Sequence, residues 1–254
     1  MAGLSLVAGE ALPLPSVVYT TGDGRSHAPV DDAPLWSGER RRLSALPRPA
    51  GATLSELFAA SPRDGGATGL LLAMLGRERP LLWVQERMAI LEGGRIYPPG
   101  LGLDDLIHVE ANDARAALWA MEEGLRCSAL GGVIGELWGD PRALDFVATR
   151  RLAVAAERSG VPAWLLRFGG RENLSGARMR WRVASAPSPP HPFDHRAPGA
   201  AAWDAELFRA RGFAPGRWVV THEPAETDSR EADFGDLAAE TGDRALGEGE
   251  RRRA

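Results

Sequence analysis

The chain has 254 residues, a formal net charge of −4, 44% hydrophobic and 25% charged residues, and a single cysteine, Cys127. These are ordinary values for one globular domain with tails. They argue against a disulfide framework or a cysteine-based zinc site, and no apolar run nears the roughly 18 residues of a bilayer span.

Residues Met1–Glu10 carry no basic segment before their short apolar run, so no secretory signal is expected. With one cysteine, the expected compartment is the reducing cytoplasm. All thirty basic residues are arginines. From His222 to the end there are ten acidic residues and five arginines, which leaves the body of the chain near neutral. A near-neutral body gives no global electrostatic case for nucleic acid, so DNA contact is expected to be indirect or weak.

Residues 1–50 are rich in Pro, Gly, Ser and Ala without a sustained period, and read as mostly irregular. Residues 51–222 read as one domain, and 223–254 as an acidic, disordered tail with room for a short helix over Asp233–Glu240.

Within the domain, strand-like and helix-like segments alternate. Thr53–Ala59 reads as a strand, Ser61–Gly66 as a loop and Ala67–Gly76 as a helix. Pro80–Gln85 is a compact apolar strand, and Glu86–Glu92 a short helix stopped by Gly93-Gly94. A rigid loop over Tyr97–Gly100 precedes a strand at Leu106–Glu110. Asp113 caps a helix running to Arg126, with Ala117, Leu118, Met121 and Leu125 on its apolar face. Gly131–Leu137 is the next strand. Asp140-Pro141 provides an N-cap and N1 pair for a helix ending at Gly160, with Leu144, Val147, Ala148, Leu152, Ala155 and Ala156 as its stripe. Ala163–Arg167, Ala177–Ala184, Trp203–Ala210 and Arg217–His222 follow as strands, the last two joined as a hairpin. The alternation predicts an α/β fold: a mostly parallel sheet flanked by helices, with antiparallel strands at the C-terminus.

Several stretches in this order resemble the RecA-like core of the ImuA family, proteins of bacterial damage-inducible mutagenesis cassettes related to the SulA/RecA group. They are Pro80–Arg87, Tyr97–Leu101, Leu118–Cys127, Thr149–Leu152, Ala177–Val183 and the hairpin Trp203–Val220, which carries Glu206-Leu207, Arg209 and Arg211-Gly212. The resemblance implies a non-replicative accessory role in SOS-induced translesion synthesis. The implied partners are an ImuB-like relative of Y-family polymerases, an error-prone replicative-type polymerase and RecA.

A working phosphate-binding loop reads G-x-x-x-x-G-K-[ST] between strand and helix. Here Ser61–Gly69 stands in that place, and the lysine position falls near Gly66 or Ala67 in a chain without lysine. Gly65 and Gly66 are candidates for a backbone anion nest, Thr68 for the magnesium hydroxyl and Glu136 for the acid ending the Gly132–Leu137 strand, and the resemblance implies that Glu86 stands where the family fold places its water-activating glutamate. Asp64 adds a charge unfavourable to phosphate. Without the lysine, much of the electrostatic stabilisation on which phosphoryl transfer depends is gone. The expectation is a vestigial nucleotide site that needs no ATP or magnesium, in which Gly65-Gly66 serves only as a tight turn. The alternatives are a divergent ATPase that remodels a nucleoprotein complex, and a SulA-like cell-division inhibitor.

Arg178, Arg180 and Arg182 alternate with Met179, Trp181 and Val183, which puts three guanidinium groups on one strand face. With Arg209 and Arg211 they are candidates for partner docking. The alternative is a half-exposed strand whose arginines are solvated or paired. The connections Trp138–Pro141 and Phe168–Gly176 are too short for filament-type DNA loops, although Arg167 and Arg171 lie nearby. Trp83, Trp119, Trp164 and Trp181 sit in apolar patterns and are expected in the core, and Cys127 is expected to be a small packing residue. His191, Asp194, His195 and His222 lack metal-ligand spacing, and no metal site is expected.

Overall fold

The computed structural model describes residues 39–222 apart from 76–78, 104, 192 and 195. The expected tail helix at Asp233–Glu240 lies outside the described residues, as does the acidic tail itself.

Nine strands form one sheet in the order β1-β9-β8-β7-β2-β6-β5-β3-β4. The parallel portion comprises β2 (Leu54–Ala59), β3 (Leu81–Glu86), β4 (Leu106–Ala111), β5 (Gly132–Trp138), β6 (Ala163–Phe168) and β7 (Met179–Ala186). β8 (Ala202–Ala210) pairs antiparallel with β7 and with β9 (Gly216–Thr221), so the C-terminal hairpin extends the sheet. The fold is therefore α/β with antiparallel C-terminal strands, as the alternation predicts. One strand departs from that reading. β1 (Glu39–Arg42) lies within the stretch read as mostly irregular and pairs parallel with β9. Its Glu-Arg-Arg-Arg sequence has no strand signature, and the pairing comes from the open edge that β9 presents.

Helices cover both faces. α1 (Gly66–Met74) buries Ala67, Leu70, Leu71 and Met74 against Leu57, Trp83, Trp181 and Val183 on one face. α3 (Ala114–Gly124) and α4 (Phe146–Ser159) pack on the other, burying Leu118, Met121, Leu152 and Ala156 against Leu54, Val133 and Leu165. α2 (Arg87–Gly93) follows β3 directly. β2 and β3 are buried on both sides, which is why they read as continuous apolar runs rather than alternating ones.

Asp113 caps α3 as expected, accepting the Ala116 N–H at 2.8 Å. The cap of α4 is Asp145, which accepts the Ala148 N–H at 2.7 Å, and the helix starts at Phe146 rather than at Pro141. Asp140 is engaged elsewhere: its carboxylate takes Arg167 Nη2 at 2.9 Å and the Arg171 N–H at 2.8 Å. The buried stripe also differs from the expected one. Ala148, Leu152 and Ala156 are buried with Thr149 and Ala153, whereas Val147 is left 58% exposed.

Candidate functional site

The β2–α1 connection occupies the place of a phosphate-binding loop, at the carboxyl end of a parallel strand, where α/β sheets bind ligands. Its geometry is closed by the chain itself. Asp64 Oδ1 accepts the Gly66 N–H at 2.8 Å and the Ser185 hydroxyl at 2.6 Å, while Oδ2 accepts the Ser185 N–H at 2.9 Å. The N–H that an anion would use is thus held by an internal carboxylate tied to β7. A Cβ on Gly66 would lie 2.6 Å from Ser185 N and 2.8 Å from the Ala184 carbonyl carbon. This glycine is required by the approach of the β7 backbone, so the space needed for a side chain at the lysine position is also missing. Gly65 has an ordinary φ of −74° and open space around it, so no steric demand explains it.

Beside this loop is a cleft of about 520 Å³, and Gly65, Thr68 and Glu136 all line it. Glu136 lies on its floor. Its Oε2 accepts Trp83 Nε1 at 3.1 Å and Gln85 Nε2 at 3.0 Å. Burial pushes its carboxyl above the usual carboxylate range, and these two bonds only partly offset the rise. Gln85 also donates to the Gly94 carbonyl and accepts the Ile96 N–H, both at 3.1 Å, so it pins the loop that walls the cleft.

Glu86 is absent from this group. Parallel pairing puts Gln85 opposite Glu136, and the strand alternates, so Glu86 faces the α3 side. There it accepts the Trp138 N–H at 3.1 Å. Burial and the nearby Asp113 raise its pKa. The sheet therefore separates the two glutamates assigned to one site. Gln85 and Trp83 were missed as site residues. The signal that could have found them is strand parity, since Leu81 and Trp83 share the α1 face with Gln85.

The arginine strip on β7 also divides. Arg180 is 3% exposed, and its Nε donates to the fully buried Glu56 at 2.6 Å. Ser175 Oγ donates to the other Glu56 oxygen at 2.8 Å. The Arg180 guanidinium lies 5.2 Å from the ring centres of both Phe58 and Phe208. Arg167 stacks on Phe58 at 5.2 Å, and Arg182 on Phe208 at 4.5 Å. The result is a ladder of alternating cations and rings across β6, β2, β7 and β8. Arg182 is exposed and pairs with Glu172 and Glu206. Arg178 forks onto Glu157, and this pair holds the Glu157 carboxyl below its usual range. Arg180 therefore cannot belong to a docking strip, and Arg178 and Arg182 are already paired. Arg167, expected near a DNA loop, is likewise buried against Asp140.

Arg178, Arg209 and Arg211 do come together, in a cleft that also takes in Phe146 and Arg150 of α4. Two other expectations fail beyond it. Trp119 is 64% exposed, unlike Trp83, Trp164 and Trp181, because its position on α3 points away from the sheet. Cys127 follows α3 and is exposed rather than packed.

No family model matches the chain. Among solved structures, SulA from Pseudomonas aeruginosa aligns with a TM-score of 0.37 and 24% identity, covering 48% of this chain and 100% of that one. Protein ImuA of Caulobacter vibrioides, in each of two strains, is 33% identical over 183 residues, which is 65% of this chain and 72% of that protein. Identity at that level across most of a relative, together with the motifs from Pro80 to Val220, means that the chain belongs to the ImuA family, proteins associated with damage-inducible mutagenesis.

Proposed function

We propose that the protein is a non-replicative accessory factor of SOS-induced, error-prone translesion synthesis. In this reading it acts as an adaptor, binding an ImuB-like polymerase relative and, through it, an error-prone replicative-type polymerase, with RecA as a further partner. It does not turn over ATP. Membership of the ImuA family supports the setting. The single observation behind the absence of turnover is the Asp64 carboxylate on the Gly66 N–H and Ser185, where an outer phosphate would need an empty nest and a cation. The separation of Glu86 from Glu136 across the sheet adds to it, because no pair of acids is left to manage both magnesium and water.

Two experiments test this. Co-expression with the ImuB-like subunit of the same genome should give a complex stable at micromolar concentration, and failure to co-purify rejects the adaptor role. Calorimetric titration with ATP and magnesium, followed by phosphate release, should show no turnover. Turnover abolished by Glu136→Gln or Glu86→Gln would convert the protein into a divergent ATPase.

A further inference from the structure

α3 and α4 lie side by side on one face of the sheet, and the channel between them is open along both helices. One half, about 450 Å³, is lined by Arg115, Trp119 and Arg142, and the other, about 660 Å³, by Arg150, Val154 and Arg158, with Glu122, Val147 and Arg151 shared by both halves. Trp119, Val147 and Val154 are 64%, 58% and 39% exposed. Val147 and Val154 are seven residues apart, two helical turns along one face.

The charge on this channel is not accounted for by the fold. Arg126 and Arg151 pair with Glu123 and Glu122. Among the described residues, Arg115, Arg142, Arg150 and Arg158 are exposed and make no ion pair. Arg158 sits in the last turn of α4, where a cation complements the helix dipole. Arg115 is the second residue of α3, and Arg142 precedes the start of α4. Arg115 stands at the positive end of its helix, where a cation is disfavoured. The caps Asp113 and Asp145 are committed to backbone N–H groups. Arg158 apart, the unpaired arginines thus line a channel that also carries exposed apolar side chains, without stabilising either helix.

We propose that the α3–α4 channel is a docking groove for an acidic amphipathic helix of a protein partner. Apolar side chains of that helix seat on Trp119, Val147 and Val154, and its carboxylates meet the four unpaired arginines. The 14 residues of α4, at about 1.5 Å each, match three to four turns of a bound helix. The floor distinguishes this occupant from nucleic acid. Valine methyls give bases no stacking platform, and one tryptophan is too few for a strand of them. The groove rests on the adaptor reading only in taking its occupant to be a protein.

The test uses the full chain and a fluorescein-labelled 21-residue peptide with leucines on one helical face and glutamates elsewhere, read by anisotropy. Saturable binding at micromolar concentration is expected. It should weaken at least tenfold with a scrambled peptide of the same composition, with Trp119→Ala, and with the double variant Arg150→Glu/Arg158→Glu. Arg63→Glu, in the β2–α1 loop on the other face, should bind as the unaltered protein does. All these positions are exposed, and circular dichroism should show each variant folded. Equal binding of the scrambled peptide, or unchanged binding by the groove variants, overturns the proposal. So does binding of a 21-nucleotide oligothymidylate in place of the peptide, which would make this a nucleic-acid face. Peptide binding without co-purification of the polymerase subunit leaves the groove standing and removes that partner. Co-purification undiminished by the groove variants places the partner elsewhere and overturns the groove.

Discussion

Two groups of arginines in this chain have opposite surroundings. Arg180 and Arg167 lie within the sheet, each 3% exposed, each paired with a carboxylate and stacked on a ring. Arg115, Arg142, Arg150 and Arg158 stand exposed on the helical face without any ion pair. The guanidinium group suits both places. Its flat faces stack on rings while its edge forks onto acids, and it is less strongly hydrated than an ammonium. The comparison shows that an arginine in a strand pattern can be a structural element, and that surface cations without partners are the ones to examine for binding.

The sharpest way to break the comparison is to remove a buried member. Arg180→Ala removes the cation paired with the buried Glu56, and should cost about 3–5 kcal/mol in urea unfolding. The double change Arg180→Met/Glu56→Leu should recover most of that loss, because the desolvation of both ions disappears with them. A single variant that costs less than 1 kcal/mol would mean the ladder is not a stabilising element.

Asp64→Ala removes three hydrogen bonds at the β2–α1 connection and should destabilise the protein by roughly 1–2 kcal/mol. It should also leave the Gly66 N–H free. Isothermal titration with inorganic phosphate would show whether an anion then enters the nest, and heat of binding absent from the unaltered chain is the expected result.

Glu136 sharpens the contrast through pH. Its folded pKa is raised, so the folded state holds the proton more tightly than the unfolded chain does. The stability is complete below the ordinary carboxylate pKa of 4.5 and is lost as pH climbs from there through the folded value. Glu136→Gln keeps an acceptor for Trp83 and Gln85 but cannot ionise. The variant should gain stability relative to the original chain as pH rises from 4 to 8, with the two alike at the acid end. Thermal midpoints across that range measure it, and a gap that narrows with pH would reverse the assignment.

The smallest effect belongs to the exposed group. Trp119→Ala and Arg158→Ala should each change stability by no more than about 0.5 kcal/mol, since neither side chain is buried or ion-paired and Arg158 contributes only an exposed charge at a helix end. A larger loss by thermal denaturation would mean that they serve the fold.

Much of the element order was legible from Leu54 onward, because β2 and β3 are apolar runs of strand length and α3 carries a helical stripe behind its Asp113 cap. The α4 boundary was not. The sequence points to Asp140-Pro141, but Asp140 is drawn to Arg167 from another strand and the cap is Asp145. The candidate site was legible in part. Gly65, Thr68 and Glu136 share a cleft, but Glu86, assigned to it because the resemblance places a water-activating glutamate there, is sent to the other face by strand parity. Asp64 was marked as unfavourable to phosphate. That it would fill the nest itself depended on Ser185, 121 residues away.

The alternation of strands and helices, the absence of lysine and the family are already legible along the chain, since periodicity, composition and motif order are local or one-dimensional properties. Only the tertiary structure decided which arginines are interior and which are free. A guanidinium becomes structural when a distant strand supplies a ring and a carboxylate within reach, as β2 does for Arg180. It stays available when packing turns it outward with no acid opposite, as on α3 and α4.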